Sequence, residues 1–393
     1  MKRKILGLFL LIPLISSCNN IETKEKIDFN FNYEHPTCFV NDVLKLEIST
    51  KEEVKWDVED SCNSYIDQDG LFYGLTSGDY IVNATTKTNK KSIKIHVADF
   101  NNLKKSDLNI DSFYYKDKVE NNLCELYYKK DLDKSDKTKV LLFIHGGGWI
   151  AGDNSEYDSY SIGFANEGYV VANMNYSLID LPRDLNDFKL SKVCVSTMLD
   201  EIDLCILKTK ERLKELGFDD NKLELAIQGD SAGAHLASLY AYTRKESKIP
   251  LKFLFLTVCP IYFDPYLWTS TSSNLLYTAK NYLNEVVSLL LGEDIRYKEY
   301  ESDSIKLKEI MNRLSPIADN RNYIPTIAWF GFKDNITNGF EQYKYFENEF
   351  NDKKVDHISI VSPTGWHLVR DENSDEKLNE FYKAFIKYSN LYF

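Results

Sequence analysis

The sequence predicts an α/β protein with a mostly parallel sheet, preceded by a smaller all-β unit. Six continuous apolar or β-rich runs occur between residues 140 and 362, as is typical of strands that helices cover on both faces. Helical stretches separate these runs, and the clearest is 196–218. This alternation over residues 105–393 indicates one α/β domain. Residues 28–99 instead show short alternating strands divided by turns.

The chain begins with the features of an exported lipoprotein. Basic residues at 2–4 precede an apolar run of 11 residues, 5–15. This run is too short to span a bilayer comfortably, and it is typical of a secretory signal peptide. Residues 15–18, ISSC, resemble the lipobox of bacterial lipoproteins, in which Cys18 would be acylated and become the first mature residue. The alternative is an ordinary signal peptide with a chance cysteine.

These features predict a domain organisation and a location. Residues 1–17 would be the lipoprotein signal peptide, 18–27 a tether, 28–99 the β unit and 105–393 the α/β domain. Lipid at Cys18 would anchor the protein to a bacterial membrane or cell surface outside the cytoplasm, because two or three acyl chains bind stably. The signal peptide holds three of the 48 basic residues and none of the 60 acidic ones, which leaves a mature net charge of −15. An acidic surface argues against nucleic acid and anionic lipid as partners.

The six cysteines besides Cys18 show no metal-binding pattern. They form no C-x-x-C pair and no cluster with histidine, so neither zinc nor another metal is expected. Cys38 and Cys62 both lie in the β unit and could pair outside the cytoplasm. Free buried cysteine is also common, so the sequence leaves this pairing open, as it leaves the oligomeric state.

The β unit is predicted to be a small sandwich. Apolar residues alternate along 44–48 and again along 93–97, as in half-buried strands. Asp69-Gly70 and Ser77-Gly78 are turn signals between such strands. With Trp56 on a strand, the segment resembles group-two bacterial Ig-like domains, which usually act as spacers or adhesion elements. Trp56 is expected in the core of the sandwich rather than on a sugar-binding surface.

A glycine-flanked serine in the α/β domain indicates nucleophilic catalysis. The stretch GDSAG, residues 229–233, follows a strand ending at Gln228 and opens a helix, which is the context that G-x-S-x-G requires. Glycine is needed on both sides because a side chain in so tight a turn would collide with the neighbouring strand or helix. Ser231 would thereby be exposed at the positive end of a helix, in a strained backbone. A serine hydroxyl also needs a base within hydrogen-bond reach.

His367 is the predicted base, and Asp334 is the predicted acid. His367 follows the last strand on a loop that contains proline and glycine, which fits the chain order serine, acid, histidine. Asp334 follows the preceding strand in a G-x-x-D turn, and Asp264 is the competing acid. The acid would fix the imidazole tautomer and stabilise imidazolium without taking the proton itself.

Three consecutive glycines follow the first buried strand in the stretch HGGGW, residues 145–149. A phosphate loop would need a following lysine and hydroxyl residue, and a dinucleotide-binding turn would need G-x-G-x-x-G; both patterns are missing, and no cofactor is expected. The remaining interpretation is an oxyanion loop. The backbone N–H groups of Gly147, Gly148 and Ala232 would bind the developing oxyanion, each worth roughly 3–4 kcal/mol. Trp149 is expected to pack under this loop rather than touch substrate.

Together these motifs resemble those of the α/β-hydrolase esterases of the hormone-sensitive-lipase and feruloyl/acetyl-xylan-esterase type, over roughly residues 105–390. The matching stretches are HGGGW, NYSL (175–178), GDSAGAH, SPI (315–317), GFKD and GWH. The resemblance implies a serine carboxylesterase with Ser231, Asp334 and His367 as its triad. The sequence departs from the pattern in two places. It has Phe330 where histidine is usual before the acid turn, and its base loop reads Trp366-His367-Leu368, which is not the common form of that loop.

The expected function is hydrolysis of a carboxylic ester through an acyl-enzyme, without a cofactor. The substrate would be a small ester or an acetylated or feruloylated polysaccharide. The expectation of a polysaccharide is based only on the predicted location and on analogy. Two alternatives remain: amide or formamide hydrolysis, since arylformamidases share the glycine loop, and a catalytically silent binding protein on the same scaffold. The aromatic-rich segment 265–312 is predicted to form a small helical cap over the sheet edge.

Overall fold

The computed structural model describes the β unit and most of the α/β domain. The described residues are 28–180, 190–244, 246–264, 286–295, 303–367 and 374–393. The predicted signal peptide, the lipidation site Cys18 and the tether lie outside them. In the part of the chain that is described, no helix has the length and apolar character needed to cross a bilayer.

The β unit contains two small sheets around one core. Its strands are β1 (Thr37–Phe39), β2 (Val43–Lys45), β3 (Lys55–Val58), β4 (Ser64–Ile66), β5 (Leu71–Gly74), β6 (Gly78–Thr85) and β7 (Lys90–Ala98). One sheet has the order β1-β7-β6-β3 and the other β2-β5-β4. Trp56 is buried in the core between them, as expected. The resemblance to Ig-like domains remains a prediction.

The two cysteines of the β unit are not joined to each other. Cys38 is a buried free thiol, and Cys62 is an exposed free thiol. Burial is the largest cause that raises the pKa of Cys38, to about 12. The Cys38 thiol is therefore neutral near pH 7 and packs as a small apolar side chain.

Eight strands form the central sheet of the α/β domain. They are β8 (Leu108–Tyr114), β9 (Leu123–Lys129), β10 (Thr138–Ile144), β11 (Val170–Met174), β12 (Leu223–Asp230), β13 (Leu251–Thr257), β14 (Thr326–Gly331) and β15 (His357–Ser362). Their order is β15-β14-β13-β12-β10-β11-β9-β8, with parallel pairing from β15 to β11 and antiparallel pairing of β9 and β8. The six predicted strands are confirmed, and the antiparallel edge pair is additional.

Helices cover both faces of this sheet. They are α1 (Asp158–Asn166), α2 (Val195–Glu215), α3 (Ala232–Thr243), α4 (Ser288–Leu291), α5 (Ser304–Leu314), α6 (Gly339–Lys353) and α7 (Ser374–Tyr392). Apolar residues of α1 and α7 form one core with the sheet, and those of α2, α3 and α6 form the other. Helix α2 matches the helix predicted at 196–218, and Gly217 follows it with a φ of +95°.

The predicted cap at 265–312 is described only in part. Residues 265–285 and 296–302 lie outside the described residues, and α4 and α5 come from the same stretch. Leu290 and Leu307 of these helices join the core on the face that carries α2 and α3. That the whole segment caps the sheet edge stays a prediction.

The β unit packs directly against the α/β domain. Phe100, just after β7, lies 4.4 Å from Phe164 of α1 and 4.6 Å from Tyr382 of α7, between ring centroids. The side chain of Asn390 accepts from the backbone N–H of Thr37 at 2.8 Å and donates to its carbonyl at 2.7 Å. Helix α7 therefore closes the core of the α/β domain and also covers the edge strand β1.

The strand order places two predicted site segments beside each other. Strand β11 lies on one side of β10 and β12 on the other, so the chain changes direction across the sheet between β10 and β12. Crevices at the carboxyl ends of such strands are where open α/β sheets bind ligands. The glycine loop follows β10, and the turn that carries Ser231 follows β12.

Candidate active site

Ser231 occupies a strained turn between β12 and α3. Its φ is 52° and its ψ is −115°, a conformation that costs a non-glycine residue about 1–3 kcal/mol. A β-carbon on Gly229 would lie 2.4 Å from the carbonyl of Gly233, and one on Gly233 would lie 2.1 Å from the carbonyl oxygen of Ile144. A side chain at either flanking glycine would therefore collide with the backbone, as the sequence predicted.

The structure brings the three predicted triad residues together. Nε2 of His367 lies 2.9 Å from Oγ of Ser231, and Nδ1 lies 2.8 Å from Oδ2 of Asp334. The imidazole is half-buried, whereas the Asp334 side chain has no exposed surface. The carboxylate paired with His367 is thus that of Asp334 and not that of the competing Asp264.

Asp334 is held in its ionised form. Burial alone would raise its pKa. The hydrogen bond and charge of His367, together with the bonds from Thr337, outweigh burial, so the pKa of Asp334 lies below its usual value. Oδ1 accepts from the backbone N–H groups of Ile336 at 2.8 Å and Thr337 at 3.1 Å, and Oδ2 accepts from the Thr337 hydroxyl at 2.6 Å. An ionised Asp334 accepts a hydrogen bond from the Nδ1–H group of His367, which leaves Nε2 as the acceptor facing Ser231.

The glycine loop has three consecutive residues with positive φ. The angles are +107° at Gly147, +61° at Gly148 and +67° at Trp149. A β-carbon on Gly147 would lie 2.0 Å from the carbonyl oxygen of Ala151, whereas none of the described residues comes within 4 Å of such an atom on Gly148. Glycine at 147 is therefore needed for the loop to fold, and the space beside Gly148 is open.

Trp149 packs beneath this loop, as expected. Its side chain is buried, and its indole Nε1 donates to Nδ1 of His235 at 3.2 Å. Nε2 of His235 donates in turn to the carbonyl of Leu314 at 2.7 Å. Burial lowers the pKa of His235 to about 4, so this ring is neutral and carries its proton on Nε2. The chain of bonds fixes the loop to α3 and α5.

His145 and Tyr176 also support the loop. Their rings stack with centroids 4.3 Å apart and planes 16° from parallel, and the Tyr176 hydroxyl donates to the carbonyl of His145 at 3.1 Å. Tyr176 belongs to the NYSL stretch, whose role the motif alone did not reveal. Burial lowers the pKa of His145, so it is a neutral packing group.

Two residues near the serine were not predicted from the sequence: Tyr157 and Asp230, which directly precedes Ser231. The Tyr157 hydroxyl donates to Oδ2 of Asp230 at 2.5 Å. Tyr157 lies in a polar stretch without a periodic pattern, 73 positions from Asp230. The only signal in the sequence was its place a few residues after the glycine loop.

Comparison with protein families finds a match in this part of the chain. Residues 124–300 match the family model described as BD-FAE, a family of α/β-hydrolase esterases. The matched range contains the glycine loop and Ser231, while Asp334 and His367 lie beyond it. A search of the curated proteins found no match. The family match supports a carboxylesterase.

Several solved esterases are similar to this chain in structure. An inhibited esterase B from Lactobacillus rhamnosis is 18% identical, with a TM-score of 0.52 over 72% of this chain and 87% of that one. A bacterial heroin esterase is 20% identical, with a TM-score of 0.51 over 74% and 87%. The butyrate-bound esterase Est2 from Thermogutta terrifontis is 18% identical, with a TM-score of 0.51 over 71% and 92%. At these identities the likeness shows the fold, and the chain has the α/β-hydrolase fold.

Proposed function

We propose that the protein hydrolyses carboxylic esters through an acyl-enzyme, with Ser231 as nucleophile, His367 as base and Asp334 as acid. The observation that carries this proposal is the continuous path of hydrogen bonds, 2.9 Å from Ser231 to His367 and 2.8 Å from His367 to Asp334. A nucleophile, a base and an ionised orienting group in this order are what acyl transfer requires.

The reaction would proceed in two halves. His367 Nε2 takes the proton of Ser231 while Oγ attacks the carbonyl carbon of the ester, and the carbonyl oxygen becomes an oxyanion. His367 then returns the proton to the leaving alcohol as the ester C–O bond breaks, which leaves an acyl group on Ser231. Water, deprotonated by His367, then attacks the carbonyl carbon of this acyl group. His367 gives that proton to Oγ of Ser231 as the bond between the acyl carbon and Oγ breaks, which releases the acid and restores the serine.

The oxyanion would be bound by the N–H groups of Gly147, Gly148 and Ala232. No carbonyl among the described residues accepts from these three groups. Ala232 is the first residue of α3, where a helix has no internal acceptor for its N–H and carries partial positive charge. The glycine loop also contacts the serine turn, since a β-carbon on Gly146 would lie 3.1 Å from the Asp230 carbonyl oxygen.

A second part of the proposal concerns substrate and location. We infer a lipoprotein anchored through Cys18 outside the cytoplasm, with the Ig-like β unit beside the enzyme, that removes acetyl or feruloyl groups from a polysaccharide. Support comes from the signal-like N-terminus and from the match to the BD-FAE family model. Replacement of Cys18 by serine should abolish acylation, seen by mass spectrometry, and release the protein from the membrane fraction.

The hydrolase is tested with p-nitrophenyl acetate. The wild-type protein should release a burst of p-nitrophenol, and Ser231→Ala should abolish it. Ser238→Ala is the matched control, because it removes a hydroxyl of α3 that bonds the Ala234 carbonyl instead of His367. A pure, folded wild-type protein that gives no burst and no labelling by a fluorophosphonate would contradict the proposal and favour a silent binding protein.

Substrate class is tested by comparing turnover side by side. The panel consists of acetylated xylan, feruloyl esters, short and long p-nitrophenyl esters, and a formanilide. Higher kcat/KM on the acylated polymer would support a polysaccharide deacylase. Turnover of the formanilide above that of every ester would instead identify an amide hydrolase on the same triad.

A further inference from the structure

The hydroxyl of Tyr157 lies where the glycine loop meets the serine turn. It donates to Asp230 Oδ2 at 2.5 Å, and Asp230 directly precedes Ser231. Burial and the charge of Asp230 raise the pKa of Tyr157, so the hydroxyl keeps the proton that it donates. The glycine loop reaches the same turn, because a β-carbon on Gly146 would lie 3.1 Å from the Asp230 carbonyl oxygen. Tyr157, on the segment that follows the loop, thus holds the residue before the nucleophile.

Asp230 is a fixed anchor for this hydroxyl. Its Oδ1 accepts from the side-chain amide of Gln228 at 2.7 Å, and its Oδ2 accepts from Tyr157. Donors from two side chains therefore hold the carboxyl group that is adjacent to Ser231. Burial raises the pKa of Asp230 above its usual value, although the hydrogen bonds from Tyr157 and Gln228 act in the opposite direction.

The segment that carries Tyr157 is also held firmly. Tyr157 ends a short 3-10 helix, Asn154–Tyr157, and its side chain is 7% exposed. The backbone N–H of Asn154 donates to Oδ1 of Asn175 at 2.7 Å, and the Asn173 amide donates to the Asn154 carbonyl at 2.8 Å. All three asparagines are buried, so the helix is fixed to the end of β11. Tyr157 therefore has a fixed position, from which its hydroxyl can hold Asp230 in place.

We propose that Tyr157 is a positioning residue, whose hydroxyl sets the spacing between the glycine loop and the serine turn. The proposed oxyanion donors come from both segments, Gly147 and Gly148 from the loop and Ala232 from the turn. They stabilise one oxygen atom only if the two segments keep a fixed separation. This inference rests on the proposed esterase function. Because the oxyanion forms only as Ser231 attacks and is absent from the bound substrate, the hydroxyl acts on turnover rather than on substrate binding.

The test removes the hydroxyl and keeps the ring. Tyr157→Phe should lower kcat for p-nitrophenyl acetate by about 10- to 100-fold, and KM should change by less than about threefold. The inhibition constant of a trifluoromethyl ketone, which forms an oxyanion on Ser231, should rise by the same factor as kcat/KM falls. Simple destabilisation would not produce this split between kcat and KM.

Tyr169→Phe is the matched control. Tyr169 is also buried, and its hydroxyl bonds Oγ of Ser389 at 2.8 Å, in the core against α7. Both variants should lose a similar amount of thermal stability, and only Tyr157→Phe should lose turnover. Tyr157→Phe with wild-type kcat, or with losses equal to those of Tyr169→Phe, would overturn the inference. A wild-type protein without ester hydrolysis would instead defeat the proposed function, so the two failures are distinct.

A double-mutant cycle keeps the inference testable if one variant folds poorly. Asp230→Asn replaces the carboxyl group that accepts from Tyr157 and should also lower kcat. If Tyr157 and Asp230 act as one unit, the double variant should be no slower than the slower single variant. Losses of kcat that simply multiply in the double variant would show independent effects and would overturn the shared role.

Discussion

Nε2 of His367 lies 2.9 Å from Oγ of Ser231, although 136 positions separate the two residues in the chain. Parallel strands bring them together, because β12 and β15 both end at the same edge of the sheet. The acid and base loops are also joined, since Lys333 donates its backbone N–H to the Gly365 carbonyl at 2.9 Å. The proposed chemistry therefore depends on contacts between loops, and separate substitutions can test each of them.

Replacement of Asp334 by asparagine should lower kcat by about 10³- to 10⁴-fold. An asparagine amide in place of Oδ2 would present a donor to Nδ1 of His367. The imidazole would then adopt its other tautomer, with the proton on Nε2 facing Ser231. The bonds from Ile336 and Thr337 would still hold the side chain, and KM should change little. Steady-state kinetics with p-nitrophenyl acetate measure both constants.

The control is the same exchange at the competing acid, Asp264→Asn. This variant should keep kcat within about threefold of wild type, because the carboxylate that pairs with His367 is that of Asp334. The assignment of the acid is wrong if Asp264→Asn is the slower variant.

Gly148→Ala should separate turnover from stability in the glycine loop. A methyl group there contacts none of the described residues, and the φ of +61° costs alanine only about 1–2 kcal/mol. The same methyl group would enter the space beside a proposed oxyanion donor, so kcat should fall by about 10²-fold or more. Thermal unfolding and kcat on the same preparation give the two losses.

Gly147→Ala is the contrasting variant. Its methyl group would lie 2.0 Å from the Ala151 carbonyl oxygen, so the loop must move and both stability and turnover should fall. The contrast between neighbouring glycines is the informative result. Equal losses of stability in Gly147→Ala and Gly148→Ala, with normal turnover in the latter, would mean that the loop is structural only.

The sequence predicted the parts of the fold that local patterns report. The inner strands were predicted because strands buried on both faces have continuous apolar runs, as β10 and β12 do. Strand β8 was missed because only alternate residues of this edge strand are shielded, and its polar residues hide the pattern. Ser231 was predicted because its turn needs glycine at fixed positions.

Features that depend on tertiary contact had no local signal. Tyr157 meets Asp230 across 73 positions, and Asn390 meets Thr37 across 353. The packing of the β unit against α7 depends on contacts such as that between Asn390 and Thr37, and the Ig-like pattern did not predict it. Motifs therefore identified the reacting groups, and only the structure identified the residues that hold them.

Asn390→Ala should destabilise the β unit and the α/β domain together. The asparagine side chain satisfies both the N–H and the carbonyl of Thr37, and its loss leaves two partly buried backbone groups without partners, at a cost of about 1–3 kcal/mol. Phe39 and Phe100 share a core with Phe164 and Tyr382, so a single unfolding transition is expected. Calorimetry should show one transition, shifted to lower temperature.

The control is Asn351→Ala in α6. The Asn351 side chain contacts only Glu347 one turn earlier among the described residues and is exposed, so its removal should change stability by less than about 0.5 kcal/mol. Two separate transitions in the wild-type protein, with neither shifted by Asn390→Ala, would show that the units unfold independently.

His96 makes the contact between the two units sensitive to pH. Its Nδ1 lies 2.8 Å from Oδ1 of Asp79 in the β unit, and its Nε2 lies 2.7 Å from Oε2 of Glu167 at the end of α1. Two carboxylates facing both nitrogens require a protonated ring. Burial lowers the pKa of His96, but the bonds and charges of Asp79 and Glu167 outweigh it, so the pKa is raised. The Lys94 ammonium group also pairs with Asp79.

A raised pKa in the folded state fixes the direction of the pH effect. The stabilising contribution of His96 is fully present below the pKa of the unfolded chain, about 6.5, and is lost as the pH rises through the higher pKa of the folded protein. The difference in melting temperature between wild type and His96→Gln should therefore be larger at about pH 5.5 than at about pH 8.5. His35→Gln is the control, because His35 is exposed and lies 3.9 Å from Asp136, where an ion pair contributes little. A difference for His96→Gln that stays constant or grows with pH would show that the ring is neutral in the folded protein.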